Sequence, residues 1–167
     1  MEEKKYIEIS ESTNILKLWL RTKDGKETGE HLEFNLKDLE LIDRLQKASD
    51  ETNKNHNWLN NQFVIINKKQ DFTKKGRILS NNQQLKYNAI KEFMNRQMET
   101  YNLFLGEDGV KKILNGRKVE WETVIEIEDI IKNQIAPQLD ITMDNITNEV
   151  KEKYKINIDS KEKNVLE

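Results

Sequence analysis

The sequence YNLFLGEDGVKKILNG, residues 101–116, decides the fold of this chain. It predicts one helix that ends at Gly106, a short second helix, and a stop at Gly116, because glycine adopts the left-handed backbone of helix ends without steric cost. Glu107 and Asp108 occupy the positions where the short helix would begin. These acidic residues would repel phosphate, and the glycine spacing fits neither a Walker loop nor a dinucleotide fingerprint. The stretch therefore predicts two helix ends and not a nucleotide site.

Apolar residues at helical spacing flank this stretch on both sides. Upstream, an apolar stripe runs from Leu85 to Leu105, and downstream a second stripe runs from Trp121 to Leu139. Pro137 must kink or end the downstream helix, because proline lacks the amide proton and clashes with the preceding turn. Beyond Leu139 the apolar pattern fades.

The N-terminal part has the periodicity of β-strands. Apolar and polar residues alternate over residues 6–9, 15–20 and 30–34, and Asp24-Gly25 is a turn signal between the last two. The alternation places Trp19 on the strand face opposite the leucines, so an exposed Trp19 would be a contact residue. The residues predicted to face inward are Leu16, Leu18, Leu20, Leu32 and Phe34.

The segment after the strands leaves two alternatives open. Asn35 is the predicted N-cap of a helix, and apolar residues recur at helical spacing over residues 36–45. The pattern weakens in an asparagine-rich middle, so residues 36–66 form either one long helix or two elements. Residues 63–66 are rich enough in β-branched side chains to form a short strand. A polar loop is predicted from Asn67 to Asn82.

These patterns predict an α+β fold that is mostly helical, with a small N-terminal antiparallel β unit packed on a bundle of three or four helices. The 167 residues fit a single globular domain over residues 1–139, with the β unit at about 5–34 and the helices at about 36–139. Residues 140–167 are expected to form a marginal helix and a mobile charged tail, with a thin apolar scatter at Ile156, Ile158, Val165 and Leu166.

The composition narrows the classes of function. The 28 Lys and Arg residues nearly balance the 30 Asp and Glu residues, so the net charge gives no long-range attraction to nucleic acid or to an anionic membrane. No apolar run approaches the ~20 residues of a membrane span, and the N-terminus lacks the apolar region of a signal peptide, which predicts a cytoplasmic protein. The lack of cysteine excludes disulfides and thiolate zinc sites.

Candidate motifs for chemistry are weak throughout the sequence. The two histidines lack the helical spacing of metal ligands. Residues 140–145 resemble the start of a calcium loop but lack its turn glycine and its spaced bidentate glutamate. Lys17, Trp19 and Arg21 on one strand face approach a nucleic-acid-binding pattern, but the net charge of −2 argues against it. The sequence therefore predicts no enzyme, no catalytic residue, no metal and no cofactor.

The arrangement around the two glycines resembles that of the small tail assembly chaperones of long-tailed phages that infect Gram-positive bacteria. In that family a short β unit precedes a helical bundle, and an aromatic residue or leucine before a glycine leads through a short helix into a final helix. Residues 104–109, 110–116 and 121–139 match this layout, as do the two strands and the helical pattern over 36–45. The resemblance covers residues 15–139, and the polar middle stretch is longer than in the family pattern.

The resemblance implies a non-enzymatic protein of the host bacterial cytoplasm. It would coat the tape measure protein, recruit tail tube subunits and be absent from the finished tail, with homo-oligomerisation left open. The apolar patterning predicts protein contacts at Trp19, in a groove beside Phe104 and Trp121, and at Met143, Ile146 and Tyr154. One alternative is a phage or mobile-element inhibitor that occludes the surface of a host defence protein, and another is an enzyme or nucleic-acid module built on Lys17, Trp19 and Arg21.

Overall fold

The computed structural model of the chain describes residues 4–8 and 15–155. Strands β1 (Ile15–Arg21) and β2 (Glu27–Asn35) form an antiparallel sheet. The helices of the described residues are α1 (Leu39–Asn67), α2 (Asn81–Leu105), α3 (Gly109–Leu114), α4 (Trp121–Ile130) and α5 (Ala136–Tyr154), and a π-helical turn (Ile131–Ile135) joins the last two. The predicted α+β fold, with a small β unit on a helical bundle, is confirmed.

The sheet has the predicted inner and outer faces. Gly25 has a φ of +90° in the turn between the strands, as the Asp-Gly signal predicts. Leu32 and Phe34 are buried, and the three leucines of β1 pack half-buried against the same core. Trp19 lies on the opposite face and is 66% exposed.

The β unit begins later in the chain than the sequence predicts. Residues 4–8 belong to no strand, and the side chains of Tyr6 and Ile7 are 82% and 91% exposed. Alternation alone therefore does not make this segment a strand, because a strand also needs a partner for its backbone groups. Ile9, the last residue of the alternating pattern, lies outside the described residues.

Helix α1 is one continuous helix of 29 residues, which decides between the two alternatives for residues 36–66. Its N-cap is Asp38, whose Oδ1 accepts a hydrogen bond from the amide of Glu40 at 3.0 Å. The prediction that Asn35 caps this helix is wrong. Asn35 ends β2, and its side chain accepts from the amide of Lys37 at 3.2 Å, which forms a turn before the helix.

Helices α1 and α2 pair as an antiparallel hairpin that is polar at its middle. The amide of Asn55 donates to Gln97 Oε1 at 2.7 Å and to Thr100 Oγ1 at 3.1 Å. Gln97, which is fully buried, donates in turn to Thr52 Oγ1 at 3.2 Å. These bonds satisfy the polar groups where the apolar pattern of α1 weakens, so the helix continues through that zone.

The core lies where the sheet meets the C-terminal half of α2. Phe34 and Phe104 stack there with ring centroids 5.4 Å apart. Gly106 ends α2 with a φ of +94°, and α3 ends at Asn115 and Gly116, which both have positive φ. Both helix ends predicted from residues 101–116 are therefore present.

The final helical segment is interrupted close to Pro137. The π-helical turn runs directly into α5, and Pro137 is in the first turn of α5, so the helix is irregular at the place where proline cannot donate to the preceding turn. Leu139 and Thr142 are the last buried residues of α5, which continues with more exposed side chains to Tyr154. Residues 156–167, including the apolar scatter predicted for the tail, lie outside the described residues.

Candidate protein-binding surfaces

An open groove of about 940 Å³ lies between the sheet and α4. We call it the Trp19 groove. Its apolar lining comes from Leu18, Trp19 and Leu20 of β1 and from Ile125 and Ile130 of α4. Exposed apolar side chains around a concave surface are typical of sites that bind another molecule.

The two sides of the Trp19 groove carry opposite charges. The α4 side presents the acidic residues Glu122, Glu126 and Asp129, whereas Arg21 and Lys23 lie on the β side together with Glu27. An apolar segment with basic residues directed at α4 would therefore find both hydrophobic contact and charge complementarity.

Cross-strand contacts fix the surroundings of Trp19. Its ring centroid lies 4.6 Å from that of His31, its partner on β2. His31 Nε2 lies 2.9 Å from Glu33 Oε1, and Lys17 Nζ lies 3.3 Å from the same oxygen. These hydrogen bonds, the one from His31 first, hold the pKa of the Glu33 carboxyl below its ordinary value. Trp19 is therefore held in an ordered outer face before any partner arrives.

A second surface lies at the far end of the α1–α2 hairpin. Residues 68–80, which we call the hairpin tip, connect the two helices and contain five basic residues and one acidic residue. The side chain of Ile78 is 98% exposed, and Phe72 and Leu79 are also exposed. The tip thus combines positive charge with exposed apolar side chains. The sequence shows the basic residues, but it does not show that the apolar ones face solvent.

Hydrogen bonds at the ends of both helices order the hairpin tip. Asn82 donates to the carbonyls of Ile66 at 3.2 Å and Lys69 at 2.9 Å, which satisfies the end of α1. Asp71 Oδ1 accepts from the amides of Asn82 at 3.0 Å and Phe72 at 2.9 Å. These hydrogen bonds, that from Asn82 first, lower the pKa of Asp71. A reciprocal cap between Ser80 and Gln83 starts α2.

The residues predicted to contact a partner differ in their exposure to solvent. Trp19 lies at the edge of the open groove, with its ring on the outer face of the sheet. Phe104 is 2% exposed and stacks in the core, so it is corrected from a contact residue to a core residue. Trp121 is 46% exposed at the start of α4, with its ring centroid 6.1 Å from that of Phe93. The predicted groove beside Phe104 and Trp121 therefore cannot use the buried Phe104 ring.

The three predicted contact residues of α5 differ in exposure. Met143 is half-buried beside a shallow depression that Ile42 and Leu45 of α1 also line. Ile146 is half-buried, and Tyr154 is 63% exposed. Their contact with a partner stays a prediction.

Within residues 4–8 and 15–155, no group of three or more histidine or acidic side chains is placed to hold a metal ion. No helix of these same residues is long and apolar enough to cross a membrane. Comparison of the chain with protein-family models, curated proteins and solved structures finds no match. The functional conclusion therefore depends on the Trp19 groove and the hairpin tip.

Proposed function

We propose that this protein is a non-enzymatic binding protein that holds another protein in the Trp19 groove. The observation that carries the proposal is an ordered indole, 66% exposed, at the edge of an apolar groove. Tryptophan is enriched among the residues that dominate binding energy at protein interfaces, because it buries a large area with little loss of conformational entropy. Trp19 stands beside the apolar lining of a groove and is not a single scattered apolar residue, and contiguous exposed apolar surface of this kind marks binding sites.

The partner that we propose is a phage tape measure or tail tube protein, which makes this chain a tail assembly chaperone. The support is the resemblance of residues 15–139 to that family together with an open groove suited to a segment of another chain. The groove has a volume of about 940 Å³, which lies within the range of roughly 300–1,000 Å³ that is typical of ligand-binding clefts. Such a segment would place apolar side chains against Leu18 and Ile125 and basic ones near α4.

The test is co-purification with tape measure and tail tube proteins of long-tailed phages that infect Gram-positive bacteria. We expect a complex with one of them, and we expect Trp19→Ala to weaken it about 30-fold, or ~2 kcal/mol, as truncation of an interface tryptophan commonly does. The matched control is Tyr87→Ala, which removes an aromatic side chain 54% exposed on α2. Lack of binding to both proteins would overturn the proposed partner, and unchanged affinity in Trp19→Ala would overturn the proposed site.

A further inference from the structure

We propose that the hairpin tip of one copy of this protein docks in the Trp19 groove of a second copy, so that copies associate head to tail. The inference uses the groove of the proposed function but does not require that function's partner. It rests on three properties of the described residues: the charges of the two surfaces, their exposed apolar side chains and their places at opposite ends of α1.

The charges of the two surfaces are complementary. The tip carries Lys68, Lys69, Lys74, Lys75 and Arg77 against a single acidic residue, Asp71. The α4 wall of the groove carries Glu122, Glu126 and Asp129. The net charge of the chain is only −2, so these two regions are local departures of opposite sign from a balanced surface. Opposite patches on one chain attract between copies and set the orientation in which the copies meet.

The apolar side chains of the two surfaces also match. Ile78 is 98% exposed and Leu79 is 40% exposed, and both directly follow the cation Arg77. In the groove, Leu18, Ile125 and their neighbours form an apolar lining next to the acidic wall. Docking would therefore remove apolar surface from water on both copies while it places Arg77 near a carboxylate.

The fold keeps a copy from filling its own groove. Strand β2 leads directly into the N-terminus of α1, whereas the tip follows the C-terminus of α1. Helix α1 has 29 residues and is thus about 43 Å long, and hydrogen bonds join it to α2 near its middle. The groove and the tip therefore lie at opposite ends of the α1–α2 hairpin. Two different surfaces that pair between copies leave one of each free, so association can continue into chains or close into a ring.

A loop end in a groove is a small interface, and small interfaces give weak association that depends on concentration and salt. A partner that binds the same groove more tightly would displace the tip of the neighbouring copy. Self-association would then keep the exposed Trp19 and Ile78 covered until such a partner is present.

Sedimentation velocity over a concentration series, at low and at high salt, tests the inference. We expect reversible association of the full chain that weakens with salt. The tip variant Lys74→Glu with Arg77→Glu and the groove variant Glu126→Lys with Asp129→Lys should each weaken association about 10-fold or more, because like charges then face each other. A chain that carries all four substitutions should regain it, since both surfaces are reversed. The control variant, Lys47→Glu with Lys91→Glu, changes the charge equally at exposed helix positions and should associate like the wild type.

Each contrary result has a defined meaning. A wild-type chain that stays monomeric, a tip variant that associates normally, or a four-site variant that fails to recover would overturn the inference. Loss of association after removal of residues 1–8 would also overturn it, because the exposed Lys4–Glu8 segment would then be the occupant of the groove. Circular dichroism confirms that every variant is folded. The tip variant has an intact groove and should bind the partner of the proposed function normally, so the two proposals can fail separately.

Discussion

At the scale of single residues, Tyr101 shows how burial sets a chemical property. Its ring is 3% exposed, and its hydroxyl donates to the carbonyl of Val124 at 3.2 Å. Burial raises the pKa of Tyr101 to about 12, because the charged phenolate would lose its hydration. An exposed tyrosine in the unfolded chain ionises near a pH of about 10. Below a pH of about 10 the tyrosine is protonated in both states and the folded state keeps its full stability. As the pH rises from about 10 to about 12, only the unfolded chain ionises, so the free energy of unfolding falls.

We predict that Tyr101→Phe has opposite effects at neutral and at alkaline pH. At neutral pH the free energy of unfolding should fall by about 0.5–1.5 kcal/mol, since the hydrogen bond to Val124 is lost. Between pH 10 and 12 the variant should lose less stability than the wild type, because no buried phenol remains to ionise. Urea denaturation at several pH values measures both effects, with the exposed Tyr87→Phe as the control. An equal alkaline slope in Tyr101→Phe and wild type would contradict the argument.

Gly106 and Gly109 show which reasons for a glycine can be predicted from the sequence and which cannot. The sequence predicts a helix end at Gly106, and its φ of +94° and ψ of 167° lie in a region that essentially only glycine adopts. Gly109 follows three residues later and serves packing instead, because an added Cβ would overlap Leu105 Cβ. Backbone demands on a residue can be inferred from local sequence. The space around it depends on neighbours that only the folded chain defines.

At the scale of elements, the α1–α2 hairpin depends on its buried polar network. Asn55, Gln97 and Thr100 each find a partner inside the helix pair. A buried amide without a partner costs more than an ordinary hydrogen bond contributes, so the network favours one register of α1 against α2 over shifted ones.

We predict that Asn55→Ala lowers the free energy of unfolding by about 1–3 kcal/mol, because the carbonyl of the fully buried Gln97 loses its donor. Asn57→Ala is the matched control, since Asn57 is exposed two residues along the same helix. Urea denaturation measures both variants. Equal losses in the two variants would show that helix propensity, and not the network, accounts for the effect.

The same network explains why the continuity of α1 could not be predicted. The donor and acceptor of its shortest hydrogen bond are 42 residues apart in the chain. The local apolar pattern of α1 therefore predicts a break at its polar middle, because it contains no information about the partner residues on α2. The two binding surfaces can also be predicted only in part. Alternation in β1 predicts that Trp19 is on the outer face, but the wall that α4 adds depends on a tertiary contact. The exposure of Ile78 likewise depends on the path of the folded hairpin tip, which the local sequence does not define.

At the scale of the whole molecule, the core extends into the first turns of α5 and no further. Ile135 is fully buried and Leu139 is 4% exposed, while Thr142 is the last buried residue in the described part of the chain. The turns of α5 that follow are amphipathic but largely solvated. Stability should therefore depend strongly on where the chain is cut around this boundary.

We predict that a chain cut after Met143 folds cooperatively and loses less than about 2 kcal/mol, since it retains Ile135 and Leu139 and removes only half-buried or exposed residues of α5. A chain cut after Gln134 removes both buried side chains and should lose about 3–6 kcal/mol, at roughly 1.5–3 kcal/mol for each. The upper part of that range reaches the lower end of the ~5–15 kcal/mol by which domains are stable, so the shorter chain should be strongly destabilised.

Thermal and urea denaturation of the two truncated chains and the wild type provide the measurement. A large loss of stability in the chain cut after Met143 would show that the later turns of α5 belong to the core. The chain cut after Met143 also tests two predicted contact residues, because it lacks Ile146 and Tyr154 but keeps Met143 and the Trp19 groove. If the truncated chain is folded and binds its partner less tightly than the wild type, the removed residues 144–167 contribute a second contact surface. Unchanged affinity would limit partner binding to the body of the molecule, where the Trp19 groove lies.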